Sequence, residues 1–207
     1  MNPTRLLDFS KPDLSHALSA VKTGGYANAF AGYGLSSEEK ALIYHYTYQG
    51  SDDIKKPVRA SGGQLLEPLA QGLAAALAKL PVYEGIVYSA ELWDTQELET
   101  LQLAAVANTP FHLDIKRWPT FLSASKLIKV AKEHLTSFGG TKNCLLKIES
   151  RTGRYIDALS HRGQHGRDPA DPEEEVIFLP NTQFEILSMR VGSATSAAEL
   201  VLSEYQA

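Results

Sequence analysis

The amino-acid sequence predicts an α+β fold with a helical N-terminal half. Apolar residues recur at helical spacing before Pro81, and short runs rich in β-branched and aromatic residues dominate after it. The helices come first and the strands later, and the sequence contains no internal repeat. This order favours an α+β fold over a repeated strand–helix–strand unit.

Three helices are predicted in the N-terminal half. The first covers residues 13–21. The second begins at Ser36, whose hydroxyl can accept a free backbone amide while Glu39 reaches back to form a capping box, and it ends around residues 45–47. The third is alanine-rich and has Pro68 in its first turn, where proline is tolerated. Its leucines recur at helical spacing and indicate a buried helix: Leu66, Leu69, Leu73, Leu77 and Leu80.

The C-terminal half is predicted to contain most of the strands. They cover residues 83–88, 118–123, 143–149, 155–158, 176–179 and 182–187, and helices are predicted at 94–107 and 126–135. Glycines between residues 24 and 34 mark a loop in the other half. We therefore expect residues 1–34 to form an N-terminal helical arm on a main domain of residues 35–207.

Composition and charge exclude several classes of protein. Of the 207 residues, 43% are apolar and 21% are charged, with a net charge of -4 and no basic stripe, so we expect no nucleic-acid partner. The single Cys144 rules out an intrachain disulfide and is typical of cytoplasmic folding. No apolar run is long enough for a membrane segment and no cleavable signal peptide is evident. His161 and His165 are four residues apart, but intervening glycines argue against a helix that would hold a metal.

The most informative segment reads Glu173-Glu174-Glu175-Val176-Ile177-Phe178-Leu179-Pro180. Successive side chains of a strand alternate between its faces, so Glu173 and Glu175 are predicted on one side and Glu174 on the other. Two acids that point together can stabilise a developing positive charge and contact a second, cationic substrate. The alternative is a solvated acidic turn.

Two further segments carry weaker signals. In Trp118-Pro119-Thr120-Phe121-Leu122-Ser123-Ala124-Ser125, two hydroxyls follow an aromatic strand, and they could equally cap the helix that starts near Lys126. In Leu80-Pro81-Val82-Tyr83-Glu84-Gly85-Ile86-Val87-Tyr88, a strand is entered through a proline, and by itself it reads as core.

Together and in this order, the three segments resemble the arginine-directed mono-ADP-ribosyltransferases, which include bacterial exotoxin and effector domains. The family pattern is a strand ending in Tyr-Arg, then an aromatic-Ser-Thr-Ser strand, then Glu-x-Glu before an apolar strand. Here Ser123-Ala124-Ser125 and Glu173-Glu174-Glu175-Val176 correspond to the last two. The resemblance extends over roughly residues 35–190, including the segments 53–59, 153–160 and 181–186.

The resemblance implies two packed, mostly antiparallel sheets around an NAD cleft, with NAD as co-substrate and no metal. It implies that Glu175 stabilises the oxocarbenium-like ribose formed as nicotinamide leaves. Ser123 would hold Glu175 in place, and Ser125 would support the nicotinamide pocket. Glu173 would orient the incoming guanidinium and help remove its proton.

Two assignments rest on position within the family pattern. Phe138 would stack on nicotinamide, although a core phenylalanine beside a glycine turn is an equal alternative. Tyr155 and the segment 161–172 lie where the family recognises its target, and this segment could be a rigid recognition surface or a solvated loop.

The sequence departs from the family at one important position. The family arginine, which clamps the phosphates of NAD, should follow Tyr88, but Ser89 stands there. Serine has neither the charge nor the forked donors of arginine. Arg117, Lys116 or Arg59 could supply the cation, with Arg117 as the first candidate.

The resemblance implies transfer of ADP-ribose from NAD to arginine side chains of a target protein, expected to be a host protein, with NAD glycohydrolase activity as a variant. The alternative is a catalytically impaired relative that binds a partner protein through the retained scaffold. The missing arginine favours the alternative, whereas the retained Glu173, Ser123 and Glu175 favour the enzyme. We expect a monomer, made in the cytoplasm and delivered into another cell without a cleavable signal peptide.

Overall fold

A computed structural model describes residues 3–107, 115–137, 142–190, 192 and 197–205 and confirms the α+β fold. Within these ranges the helices are α1 Pro12–Ala20, α2 Gly24–Asn28, α3 Ser37–His45, α4 Ser51–Ala60, α5 Pro68–Ala78, α6 Thr95–Val106 and α7 Ile128–Ser137. The strands are β1 Val82–Glu91, β2 Ile115–Arg117, β3 Leu122–Ser125, β4 Cys144–Tyr155, β5 Glu175–Phe178, β6 Gln183–Arg190 and β7 Ala198–Glu204.

The strands form two groups that share hydrogen bonds. One group has the order β1-β4-β7-β6-β2 and is antiparallel except for the parallel pair β4–β7. The other is the antiparallel pair β3–β5, which joins β1 where Tyr88 faces Ser125 and joins β4 where Tyr155 faces Val176. This topology brings the end of β1, the end of β3 and the start of β5 together. These are the three segments that the sequence singled out.

Helix α3 begins as predicted, with the complete capping box between Ser36 and Glu39. The chain does not leave the helical path near residues 45–47, however. A π-helical turn over Tyr46–Gly50 leads directly into α4, which the sequence analysis did not predict. A Cβ atom added at Gly50 would lie 2.2 Å from Nε2 of the buried His45, so a larger residue here would force that ring to move. Such π turns often occur at functional sites.

Other boundaries differ from the prediction for identifiable reasons. The strand predicted at 155–158 is wrong, because β4 ends at Tyr155 and a 3-10 helix follows at Asp157–Leu159. The Asp157 carboxylate accepts the backbone amides of Gln164 and Glu174 and so fixes a turn there. The strand predicted at 118–123 starts only at Leu122. Strand β7 was missed altogether.

Two apolar clusters form the core. The first contains Ile43 of α3 and Leu73 of α5, together with Ala17, Val21 and Tyr26 from the N-terminal segment. The second packs between the strands and includes aromatic side chains such as Trp118, Phe178 and Phe184. The division of the chain at residue 34 stays a prediction, although α1 and α2 share the first cluster with α3 and α5.

Among the described residues, no helix is long and apolar enough to cross a membrane. The same ranges contain no group of three or more histidine, cysteine or acidic side chains placed to hold a metal ion.

Candidate active site

A cleft of about 430 Å³ opens where the three segments meet. Its volume lies in the range typical of small-molecule sites. Its lining includes both acids predicted to act together, three serines and three cations: Glu173, Glu175, Ser89, Ser123, Ser125, Lys55, Lys142 and Arg162. Glu91 of β1 and Asp52 of α4 also line it, so acids and cations from several segments share one concave surface.

Glu175 is the first residue of β5 and lies opposite Ser125 of β3. The Ser160 hydroxyl donates to its Oε2 at 3.0 Å. Burial and the nearby charge of Glu173 raise the pKa of Glu175 to about 7, while Ser160, Lys55 and Ser123 act in the opposite direction. A carboxyl with such a pKa inside a cleft is typical of an active site.

Ser123 lies between Glu175 and the π-helical turn. Its hydroxyl shares a hydrogen bond of 2.9 Å with the Tyr46 hydroxyl and accepts a longer one, 3.4 Å, from Nζ of Lys55. Ser123 also works to lower the pKa of Glu175. The Ser123 hydroxyl therefore contacts Tyr46 and Lys55, and the hydroxyl that donates to Glu175 belongs to Ser160, which the sequence analysis did not identify.

Glu173 is held through both its backbone and its side chain. Its carboxylate pairs with the Arg162 guanidinium at 2.8 Å, and its amide donates to the Arg162 carbonyl at 2.9 Å. The Ser125 hydroxyl donates to the Glu173 carbonyl at 2.6 Å and accepts the Leu127 amide at 2.8 Å. Ser125 thus links Glu173 to the start of α7. It lines the cleft, as the site prediction expects, and it also makes a helix-capping contact, as the alternative expects.

Glu174 points away from the cleft, but not for the predicted reason. Strand β5 starts only at Glu175, so strand alternation does not apply to the preceding acids. Instead, Glu174 has a φ of 50°, in the left-handed region. Its amide donates to Asp157 and its carboxylate pairs with Lys126. A left-handed turn therefore separates the middle glutamate from the two that line the cleft.

Lys55 and Lys142 are the cleft cations that the sequence analysis missed. Burial works to lower the pKa of Lys55, but Tyr46, Glu91 and Glu175 outweigh it and raise this pKa, so the ammonium is charged. Nζ of Lys142 donates to the Ala90 carbonyl at 2.5 Å, and burial lowers the pKa of Lys142.

Nothing in the sequence separates Lys55 from its neighbour Lys56. The side chain of Lys56 is 75% exposed and pairs with Asp52 one turn earlier in α4. Only the tertiary structure distinguishes them, because the Lys55 carbonyl accepts the Thr120 hydroxyl and the Lys55 ammonium reaches Ser123 inside the cleft.

Ser89 lies in the cleft, whereas the cations proposed to compensate for it do not. The buried Ser89 hydroxyl donates to the Ser123 carbonyl at 2.7 Å. Arg117 lies on β2, at the far edge of the sheet, and donates to Asn181. Lys116 pairs with Glu97, and Arg59 is exposed on α4 and outside the cleft lining. The structure therefore does not bring Arg117 to this site.

Tyr155 lies outside the cleft, and the structure does not describe Phe138. Tyr155 packs beside Tyr83, and the Lys126 ammonium lies 4.5 Å from the centre of its ring, next to Glu174 and outside the cleft lining. Phe138 lies outside the described residues.

Hydrogen bonds fix the segment 160–173 against the rest of the protein, so it is not simply a solvated loop. The His161 amide donates to Oγ1 of Thr47, and Nδ1 of its ring lies 3.1 Å from the Tyr44 hydroxyl. A Cβ atom added at Gly163 would lie 1.8 Å from the Asp157 carbonyl oxygen, so the close turn requires glycine. This segment forms one wall of the cleft through Arg162 and Glu173.

The fold that carries this cleft is the fold of bacterial ADP-ribosyltransferases. The ADP-ribosyltransferase HopU1 of Pseudomonas syringae pathovar tomato is 18% identical, with a TM-score of 0.69 over 93% of this chain and 87% of that one. Vis of Vibrio splendidus, an ADP-ribosyltransferase solved in complex with agmatine, is 19% identical, with a TM-score of 0.65 over 100% and 91% of the two chains.

Exoenzyme S of Pseudomonas aeruginosa, in complex with human 14-3-3 protein beta and bound to Carba-NAD, is 16% identical, with a TM-score of 0.57 over 92% of this chain and 88% of that one. No protein-family model matches the sequence, and no curated protein is similar to it in sequence. At these identities the likeness establishes the fold, and the chemistry must be argued from the cleft.

Proposed function

We propose that this protein transfers ADP-ribose from NAD to the guanidinium group of an arginine on a target protein. The observation that carries the proposal is that Glu173 and Glu175, and not Glu174, line one cleft together with Ser123 in a fold of this class. The Carba-NAD bound to Exoenzyme S supports NAD as the co-substrate.

The first step breaks the bond between nicotinamide and its ribose. Positive charge develops on the ribose, and Glu175 stabilises it from the floor of the cleft. The ionised form of Glu175 is required for this role. The Ser160 hydroxyl donates a hydrogen bond that favours that form, and Ser123 and the cation of Lys55 act in the same direction. These groups therefore act as positioning and ionising partners of one carboxylate.

The second step joins the ribose to a guanidinium nitrogen, and Glu173 serves the acceptor. An arginine side chain is almost always protonated, so a second carboxylate is needed to orient it and to remove a proton. The existing ion pair between Glu173 and Arg162 supports this role, because the carboxylate already binds a guanidinium. The complex of Vis with agmatine, which carries a guanidinium group, supports the same acceptor class.

Lys55 and Lys142 replace the missing arginine as the cations that face the NAD phosphates. The two ammonium groups are close enough to interact, because the charge of Lys55 works to lower the pKa of Lys142. Lys55 contacts Ser123, and the neighbouring Ser89 hydroxyl donates to the carbonyl of that same residue. A positive charge therefore lies beside the position that Ser89 occupies, although it comes from α4 and not from β1.

The test uses labelled NAD with agmatine or an arginine-rich protein as acceptor. We expect Glu175→Gln to abolish both nicotinamide release and transfer. Glu173→Gln should lose transfer to the acceptor but keep NAD hydrolysis, because water needs no guanidinium site. Glu174→Gln is the matched control, since its side chain points to Lys126 and should keep both activities. Equal loss of both activities in the Glu173 and Glu175 variants would contradict the separate roles.

A second candidate is a catalytically impaired relative that binds a partner protein. Ser89 favours it, because serine cannot clamp phosphates as arginine does. Calorimetric titration with NAD separates the two. An enzyme should bind NAD and release nicotinamide, whereas absence of both would favour the partner-binding protein. We also propose that the target is a host protein, that this protein is a monomer, and that it is delivered into another cell.

A further inference from the structure

Arg162 already occupies the place that the acceptor guanidinium should take. Its Nη1 lies 2.8 Å from Oε1 of Glu173, the carboxylate assigned to the acceptor. Both side chains line the same cleft as Glu175. The Arg162 side chain is about half exposed and that of Glu173 less than a quarter, so the guanidinium reaches from the surface toward the acid.

The backbone around Arg162 is fastened to both catalytic acids. Its carbonyl accepts the Glu173 amide at 2.9 Å. Its own amide donates to the Ser160 hydroxyl at 3.3 Å, and that hydroxyl donates to Glu175 at 3.0 Å. The main chain of Arg162 is thus hydrogen-bonded to the Glu173 amide and, through the Ser160 hydroxyl, to the Glu175 carboxylate, and a substitution of its side chain leaves these bonds intact.

We propose, on the basis of the proposed function, that Arg162 is an internal acceptor and the site at which the protein modifies itself. The C1′–N bond of NAD breaks and nicotinamide leaves with the bonding electron pair. A nitrogen of the Arg162 guanidinium then forms a new bond to C1′, and its proton passes to Glu173. The products are ADP-ribosyl-Arg162, nicotinamide and one proton, and no further reactant is needed.

Two consequences follow from this placement. The reaction is intramolecular, because a group already held in position reacts without an encounter step. The adduct also fills the cleft, so one modification per chain is the limit. Before modification, Arg162 competes with any external guanidinium for Glu173.

The experiment incubates the full-length protein with labelled NAD without acceptor and maps the label by peptide mass spectrometry. We expect up to one ADP-ribosyl group per chain, on Arg162, at a first-order rate that is independent of protein concentration over a tenfold range. Arg162→Lys keeps the positive charge but has no guanidinium, and it should lower self-labelling at least tenfold. Arg167→Lys is the control, because Arg167 does not line the cleft, although it shares a neighbouring cavity of about 220 Å³ with Arg162 and Glu173, and this variant should label normally.

A steady-state readout adds an independent check. Arg162→Ala removes the competitor, and its ion pair is partly exposed, so the KM for agmatine should fall by about two- to fivefold. Label on another arginine, or a rate that rises with protein concentration, would overturn the inference. Transfer to agmatine without labelling of Arg162 would overturn it and leave the proposed function standing. Absence of self-labelling, of agmatine transfer and of nicotinamide release would reject the proposed function itself.

Discussion

Replacing Glu175 by glutamine should make the protein inactive and, above neutral pH, more stable. Burial and the charge of Glu173 raise the pKa of this carboxyl from 4.5 to about 7. The folded protein therefore holds the Glu175 proton more tightly than the unfolded chain does. Glutamine has nearly the same shape but no charge, so it removes the penalty for ionising this position.

The sign and size of the effect follow from proton linkage. Between pH 4.5 and about 7 the folded state binds more protons at this position than the unfolded state, so stability falls as pH rises through this window. Below pH 4.5 the stabilisation that comes from the protonated Glu175 is fully present, and above pH 7 it is lost. A shift of this size corresponds to about 3 kcal/mol.

The assay is urea unfolding of the wild-type protein and of Glu175→Gln at several pH values between 4.5 and 8.5. Loss of the hydrogen bond with Ser160 changes the unfolding free energy of the glutamine variant by the same amount at every pH. The quantity to compare is therefore how the difference in unfolding free energy between variant and wild type changes with pH. We expect this difference in unfolding free energy to move by about 3 kcal/mol in favour of the variant as the pH rises. Parallel curves, or a difference that moves the other way, would refute the reasoning.

The remaining predictions concern activity, NAD binding and the π-helical turn. The kcat/KM for NAD should rise with pH to a plateau, with a midpoint near 7, because Glu175 must be ionised in the free enzyme; a flat profile between pH 5 and 8 would contradict this. Lys55→Ala should weaken NAD binding about tenfold in calorimetry, whereas Lys56→Ala, which removes a surface charge on the same helix, should not; equal effects would reject the phosphate role. Gly50→Ala places a methyl group 2.2 Å from a buried imidazole ring and should destabilise the protein by about 1 to 3 kcal/mol in chemical denaturation. Gly32→Ala, where the added carbon meets nothing within 4 Å, is its control, and similar losses would mean that the π-helical turn is not constrained as described.

The raised pKa of Glu175 also illustrates a conflict between stability and activity. A carboxylate that must ionise inside a cleft reduces stability at the pH where it works, and active sites often contain such groups. The serine hydroxyls and Lys55 reduce this penalty without removing it.

Some local features could be predicted from the sequence because their causes lie within a few residues. The capping box joins Ser36 to Glu39 three residues away, and Leu69, Leu73 and Leu77 of α5 share one face through the helical repeat. Leu66, which was predicted to belong to this buried face, precedes the helix and is 64% exposed. The sequence also predicted that the side chains of Glu173 and Glu175 point to the same side. The predicted cause was strand alternation, whereas the structure shows a left-handed turn at Glu174. The roles of these residues came from the resemblance to a family pattern, because spacing alone does not indicate what a residue does.

The sequence by itself determined the α+β fold and the short segments that supply both acids, Ser123 and Ser125. Only the tertiary structure decided which cation enters the cleft, because Lys55 and Ser123 are 68 residues apart and meet only when α4 lies beside the Thr120–Ser123 segment. The same holds for Ser160 and Arg162, whose contacts with the two acids depend on a turn fixed by Asp157. Hydrophobic periodicity acts along a single element, whereas these contacts depend on how several elements pack together.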